Sequence, residues 1–195
     1  MRINYRMSFA VLSILFFLNS AGQTLPEVKL STPLGEIVLE IDIINAPVTA
    51  SNFLNHVEIG TYKNAVFYRA VRMNNQPQND IKIEVIQGGV FVKVRFEKIE
   101  TIRHETTKET GLKHLNGTIS MARAETGTAS TEFFICIGDQ PELDFGGKRN
   151  PDGQGFAAFG QVVKGMSVVM EIQKQKDERQ TLVDKVIIAD IIVVK

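Results

Sequence analysis

Three polar residues stand in apolar company. Arg69 lies in VFYRAVR (Val66–Arg72), Gln87 closes the run before Gly88-Gly89, and Glu132 heads the aromatic stretch EFFICI. In an extended chain, alternate side chains share a face. That parity sets Arg69 beside Phe67 and Val71, Gln87 beside Val85, and Glu132 beside Phe134. A guanidinium among such neighbours needs partners. Either it is a rim residue whose stem packs while its head reaches water, or it is a cation held for a chemical purpose. Other chemistries find little support. Cys136 is the only cysteine, and no histidine lies near it in sequence, so it reads as a small buried hydrophobe. A single cysteine also excludes an intramolecular disulfide. His56, His104 and His114 are scattered without zinc-site spacing and read as surface or loop residues. No metal or cofactor is expected.

The elements that must position these residues centre on Gly117–Ile137, GTISMARAETGTASTEFFICI. Ile119 and Met121 point one way, and Thr118, Ser120 and Ala122 the other, the period of a half-buried strand. Glu132 to Ile137 is dense in aromatic and β-branched residues, which suits a strand covered on both faces. Leu25–Ser31 and Gly35–Ile41 alternate around Thr32-Pro33-Leu34 and predict a hairpin. Pro47 opens a helix carrying Val48, Phe53, Leu54 and Val57, with Gly60 as its stop. Val66–Arg72 is a strand, Met73–Asp80 a polar loop, and Ile81–Val94 two strand-like pieces interrupted by Gly88-Gly89. Lys93–Leu115, rich in both charges, reads as a solvated connection. Gln140–Gly155 is turn-rich. Phe156–Val163 is a strand, a short helix follows Gly165 with Val168, Val169 and Ile172 on its apolar side, and Val186–Val194 is the last strand. Many antiparallel strands with two helices predict a mainly β, closed barrel capped at its ends.

The first 22 residues have the pattern of a secretory signal peptide, which leaves one domain over residues 23–195. Arg2 and Arg6 supply positive charge, Met7 to Leu18 is apolar but too short to span a bilayer, and Ser20-Ala21-Gly22 offers a cleavage site. The whole chain carries 22 basic and 22 acidic residues; without Arg2 and Arg6 the basic count is 20, for a net charge of −2. No basic patch points to nucleic acid. Export to the periplasm or exterior is the expectation, with no stable membrane insertion after cleavage and a monomeric state.

The Gly117–Ile137 stretch closely resembles the signature of the cyclophilin family, the peptidyl-prolyl cis-trans isomerases, and especially its exported bacterial branch. There a strand of the form G-x-I-x-M-A-R precedes a loop and S-Q-F-F-I; here the second part is Ser130-Thr131-Glu132-Phe133-Phe134-Ile135. Ala46–Phe53 resembles the family's first helix, and the similarity runs along most of the chain after Pro26. The resemblance implies an eight-stranded antiparallel barrel with a helix over each opening. It implies an enzyme that speeds rotation about Xaa–Pro bonds in extended or unfolded polypeptides, without cofactor, and assists folding of exported proteins. Phe67-Tyr68-Arg69 is similar to the family's F-H-R, which makes Arg69 the catalytic arginine. Gln87-Gly88-Gly89 is similar to Q-G-G, so Gln87 would hold the arginine or the peptide. Val85, Ala122, Phe134, Leu143 and Phe156 then line the proline pocket and peptide groove, with Glu132 beside them.

Departures from the family pattern predict local differences. The Met73–Lys82 insertion would reshape one edge of the groove, and Glu84 stands where a pocket phenylalanine is expected. Glu132 replaces a glutamine, and Glu142 falls near a tryptophan of many members. Parity brings Glu132 toward Arg69 or Arg123, where it would compete for guanidinium donors. An alternative function from another class is a proline-peptide binding module or chaperone with little turnover.

Overall fold

The computed structural model describes residues 24–90 and 99–194. The leader pattern at residues 1–22 lies outside the described residues, as do residues 91–98 within the second strand-like piece and the charged connection. β1 (Glu27–Thr32) and β2 (Gly35–Ile41) form the expected hairpin, and α1 (Pro47–Glu58) starts at its proline. There follow β3 (Val66–Val71), β4 (Val85–Gly89), the single-turn α2 (Thr107–Thr110), β5 (Thr118–Met121) and β6 (Phe133–Cys136). A 3-10 turn at Pro141–Leu143 leads to β7 (Ala157–Lys164), α3 (Met166–Gln173), β8 (Asp177–Glu178), β9 (Thr181–Ile187) and β10 (Asp190–Val193).

All the strands join one antiparallel sheet of ten, ordered β10-β1-β2-β7-β5-β6-β4-β3-β9-β8. This corrects the expected eight-stranded closed barrel with two helices: the hydrogen-bonded ladder is open, and there are three helices among the described residues. The reason lies in the final segment. β9 pairs with β3 while β10 pairs with β1, so the one strand expected at Val186–Val194 is split at Ile188-Ala189 between opposite ends of the ladder. β9 was hidden by its composition, because only Leu182 and Val186 of its seven residues are buried. The region after Met73 differs too: Ile81 to Glu84 is not strand, and Gly88-Gly89 closes β4 rather than dividing it.

The inner face of the sheet and α1 enclose the main core, with Phe53 packed against Tyr62, Phe133 and Phe159 at ring separations of 5.2–5.7 Å. Burying each such ring contributes about 1.5–3 kcal/mol. α1 has no side-chain cap of its own. Glu105, 2% exposed, caps it from across the fold: its carboxylate accepts from the N–H of Val48 at 3.2 Å, the N–H of Thr49 at 2.7 Å and Thr49 Oγ1 at 2.7 Å. A carboxylate at a helix start also meets the positive end of the helix dipole. The connection carrying Glu105 is therefore no plain solvated face, since His104, Thr107 and His114 are buried as well. His56, in α1, is likewise buried; of the three histidines read as surface or loop residues, His104 and His114 do lie in loops, but none is at the surface.

Candidate active site

Alternation along β6 sends Phe133 and Ile135 inward and Phe134 and Cys136 outward. On the outer face a second, smaller apolar cluster forms from Val71, Ile83, Val85, Phe134, Cys136 and Leu143, with Ala122 and Phe156 packed against it. Burial pushes the Cys136 thiol's pKa up, so it is an inert packing group here. A cavity of about 140 Å³ opens on this cluster. Its walls include Arg69, Val85, Gln87, Ala122, Phe134, Leu143 and Phe156, so seven of the eight residues named from sequence meet at one place. The eighth, Glu132, is not among the lining residues. Ile83, Arg123 and Arg149 complete the lining; Arg123 was named only as a neighbour of Glu132, and Ile83 and Arg149 were not singled out.

Arg69 reaches the cavity because β3 breaks step. Its register against both β4 and β9 shifts between Phe67 and Arg69, the mark of a β-bulge. Strict parity would put Phe67 and Arg69 on one face; instead Phe67 enters the core while Arg69 turns outward with Val71. Gly88 permits this close approach, since a Cβ there would lie 2.8 Å from the Phe67 ring.

The guanidinium is then fixed on two sides. Nη1 donates to Gln87 Oε1 at 2.9 Å, while Nε and Nη2 donate to Gln180 Oε1 at 3.1 and 2.6 Å. Gln180 is itself pinned: its N–H donates to Asp177 at 2.8 Å and its Nε2 to the Asn75 carbonyl at 3.2 Å. Both acceptors of Arg69 are neutral amides, so its charge is not cancelled by a carboxylate. Burial lowers its pKa from the usual arginine value without removing the charge at neutral pH. Of its five N–H bonds, three are taken by the described residues, which leaves among them one on Nη1 and one on Nη2 for a bound group. Sequence reasoning missed Gln180 because it sits in the turn between β8 and β9, a hairpin that was not expected.

The aromatic wall is braced from behind. Phe134 meets Phe156 edge-on at 5.3 Å and stacks on the His114 ring at 5.9 Å. His114 Nδ1 lies 2.8 Å from Asp144 Oδ1, and Nε2 lies 2.9 Å from Ser120 Oγ. That order of groups resembles a nucleophilic triad, but Ser120 is 0% exposed and cannot meet a substrate. Burial works against charge on Asp144, yet the His114 hydrogen bonds and the Lys113 charge hold its carboxyl below the usual range. Arg123 grips Asp152 through two bonds of 2.8 and 2.9 Å and lies 5.3 Å from the Phe156 ring centre, fixing the loop that carries Phe156.

The Met73–Lys82 insertion is tied down at the cavity's edge. Buried Gln76 donates to the carbonyls of Arg72 and Ile83 at 2.9 and 2.7 Å, and Arg149 donates to the Ile81 carbonyl at 2.5 Å. Ile83 supplies the apolar wall there. Glu84 instead turns to Gln173 of α3, whose Nε2 lies 3.4 Å from its carboxylate.

Glu132 lies one step away from the cavity. Its carboxyl rests over Gly89, where a Cβ would come within 2.6 Å of it. Among the described residues its carboxylate makes no hydrogen bond or ion pair with Arg69 or Arg123, and its Oε2 is buried without a hydrogen-bond partner. The expected competition for the Arg69 donors is thereby removed.

A larger cavity of about 300 Å³, lined by Leu25, Asp42, Leu112, Lys113 and Gln161 among others, has neither an arginine nor an aromatic ring. The smaller one has both. The family profile "Cyclophilin type peptidyl-prolyl cis-trans isomerase/CLD" matches residues 27–193. The chain belongs to the cyclophilin family. This cyclophilin is 35% identical over 159 residues to peptidyl-prolyl cis-trans isomerase A of Dickeya dadantii (strain 3937), covering 81% of this chain and 76% of that one. It is 35% identical over 142 residues to peptidyl-prolyl cis-trans isomerase B of Escherichia coli (strain K12), covering 71% and 79%. Among solved structures, a cyclophilin type isomerase of Cryptosporidium parvum superposes with a TM-score of 0.69 at 22% identity, covering 88% and 98%. The same protein in the presence of the dipeptide Ala-Pro gives 0.67 at 23% identity, covering 87% and 99%. The cyclophilin is a peptidyl-prolyl cis-trans isomerase.

Proposed function

We propose that the Arg69 cavity performs the isomerisation, and that it acts on Xaa–Pro bonds of polypeptides outside the cytoplasm. The observation that carries the first part is a charged guanidinium, fixed by two neutral amides, with two N–H bonds spare over an apolar pocket. Rotation about a prolyl bond breaks no covalent bond. Its barrier, roughly 18–20 kcal/mol, is the loss of amide resonance in the twisted state. In that state the proline nitrogen is pyramidal and more basic. Arg69 donates to it, while Val85, Phe134 and Leu143 hold the ring and exclude water. These interactions favour the twisted state over either planar one, which is what acceleration requires. No covalent intermediate and no acid–base pair enters.

The assay is cis–trans exchange of an Ala-Pro peptide with the protein from residue 23 onward. Faster exchange at catalytic protein concentration is the expected result; saturable binding without acceleration would replace the enzyme by a proline-peptide binding module.

The second part rests on Arg2, Arg6, the apolar Met7 to Leu18 and the small residues Ser20-Ala21-Gly22. This pattern fits export by the bacterial secretory route, with clients among newly exported chains. N-terminal sequencing of the protein from the extracytoplasmic fraction is expected to begin just after Ser20–Gly22. Recovery only from the cytoplasm, starting at Met1, overturns it.

A further inference from the structure

We propose that Arg149 is a specificity-determining residue of the isomerase cavity, receiving a carboxylate carried by the residue beside the substrate proline, before or after it; the proposal rests on the Arg69 reading of that cavity. Arg69, Arg123 and Arg149 line the cavity together with its apolar groups, and no aspartate or glutamate is among the described residues that line it. An apolar slot of about 140 Å³ with cations in its wall and no anion is matched to a ligand that is apolar at one point and negative at another.

The three cations are not equivalent. Arg123 is answered by Asp152 through two bonds of 2.8 and 2.9 Å. Arg69 is held by Gln87 and Gln180 and is committed to the prolyl nitrogen. Arg149 has no carboxylate partner among the described residues and no step of the reaction to serve. Its Nη1 donates to the Ile81 carbonyl at 2.5 Å and to Gln76 Oε1 at 3.1 Å, both neutral acceptors. Its Nε and Nη2, with three N–H bonds between them, have no hydrogen-bond partner among the described residues. The acidic residues of this region are placed elsewhere. Glu84, Asp139 and Glu142 line a separate cavity of about 280 Å³. There the Glu142 carboxylate accepts from the Lys148 N–H at 2.8 Å, and Glu84 meets Gln173.

Arg149 is also fixed in place. Its backbone N–H donates to the Glu142 carbonyl at 3.1 Å, which ties its loop to the 3-10 turn that supplies Leu143. Its Nη1 is anchored on the Met73–Lys82 insertion, itself closed by the bonds from Gln76 to the Arg72 and Ile83 carbonyls. The unused side of the fork is thus preorganised, and a carboxylate can take Nε and Nη2 as a two-bond pair without displacing either anchor. Burial and the charge of Arg69 both lower the Arg149 pKa from the usual arginine value, as befits two cations on one cavity. A bound carboxylate offsets that repulsion. A peptide carbonyl is the rival occupant: it would use the same donors and would make no distinction of charge.

The test is kcat and KM of the protein on peptides that differ only beside the proline: Glu-Pro against Gln-Pro, and Pro-Glu against Pro-Gln. Members of a pair have the same size and differ by one charge, and the pair that responds gives the side on which the carboxylate lies. In that pair the Glu peptide is expected to have a KM about fivefold lower, the scale of a partly exposed ion pair. Its kcat should be little changed, because the contact is equal in the planar and twisted states. The preference should shrink as ionic strength rises. Arg149→Gln is expected to bring the KM ratio to about one, and Arg149→Glu to turn it in favour of the Gln peptide, with thermal unfolding as the control for folding. Equal KM within both pairs for the wild type, or a preference that survives in folded Arg149→Gln, overturns the proposal while leaving Arg69 in place. A folded wild type with no isomerase activity on any of these peptides overturns the site reading and this proposal together.

Discussion

Replacing Arg69 with alanine is expected to lower kcat/KM for prolyl isomerisation on the order of 10²–10³-fold, the usual effect of losing one preorganised transition-state donor. Most of the loss should fall on kcat, because the bond to the proline nitrogen strengthens as the amide twists, whereas the ring is held by Val85, Phe134 and Leu143 throughout. Arg69→Lys should recover little of it. A lysine cannot occupy Gln87 and Gln180 together and still keep donors aimed at the pocket, since those contacts use three directions of a planar fork. Stability should change little, since the side chain lies in the cavity wall rather than in the core and its bulge is set by the backbone. Kinetics on one peptide, with thermal unfolding alongside, check this; turnover of Arg69→Ala within a few-fold of the wild type would remove Arg69 from the mechanism.

The second large effect concerns stability. Glu105→Ala withdraws an anion that satisfies two backbone N–H groups and a hydroxyl at the start of α1. The site is buried, so water does not readily replace it. Hydrogen bonds to charged groups contribute about 1.5–3 kcal/mol each, and their losses overlap at one carboxylate. A destabilisation of about 3 kcal/mol is expected, which for a domain of this size lowers Tm by roughly 6–12 °C. Glu105→Gln should lie between, keeping one acceptor and losing the charge. Denaturant and thermal unfolding decide it, and a Tm for Glu105→Ala within a degree or two of the wild type would show that the cap is dispensable.

Much of this was readable in the sequence, because a period of two is easily seen where one face of a strand is apolar. Ile119, Met121 and the FFIC run announced β5 and β6, and Pro47 announced α1. The cavity residues on unbroken strands, Val85, Gln87 and Phe134, follow from the same counting. Counting fails at Arg69, where the bulge turns the strand over between Phe67 and Arg69. It also fails for Glu132, where parity gives a face but not which side chains come within reach. Gln180 and Arg149 come from hairpin and loop positions whose nearness to Arg69 depends on tertiary closure. Glu105 sat in a run of mixed charge that looks solvated until α1 is known to start against it. In each case the missing information is a contact between distant segments, which local patterning does not encode.

The split of the last segment into β9 and β10 has a bearing on how the chain assembles. β1 is made first, yet its partner on one side is Asp190–Val193, more than 150 residues downstream. Until that partner arrives, β1 offers an open row of N–H and C=O groups with Val28 and Leu30 behind it, the kind of edge that invites a stray strand. A nascent chain thus holds an unfinished sheet at least until residues 190–193 have been made. Contacts of such sequence separation slow folding. A catalyst of prolyl rotation in other chains is, by its own topology, a molecule that cannot complete its own sheet until β10 is free.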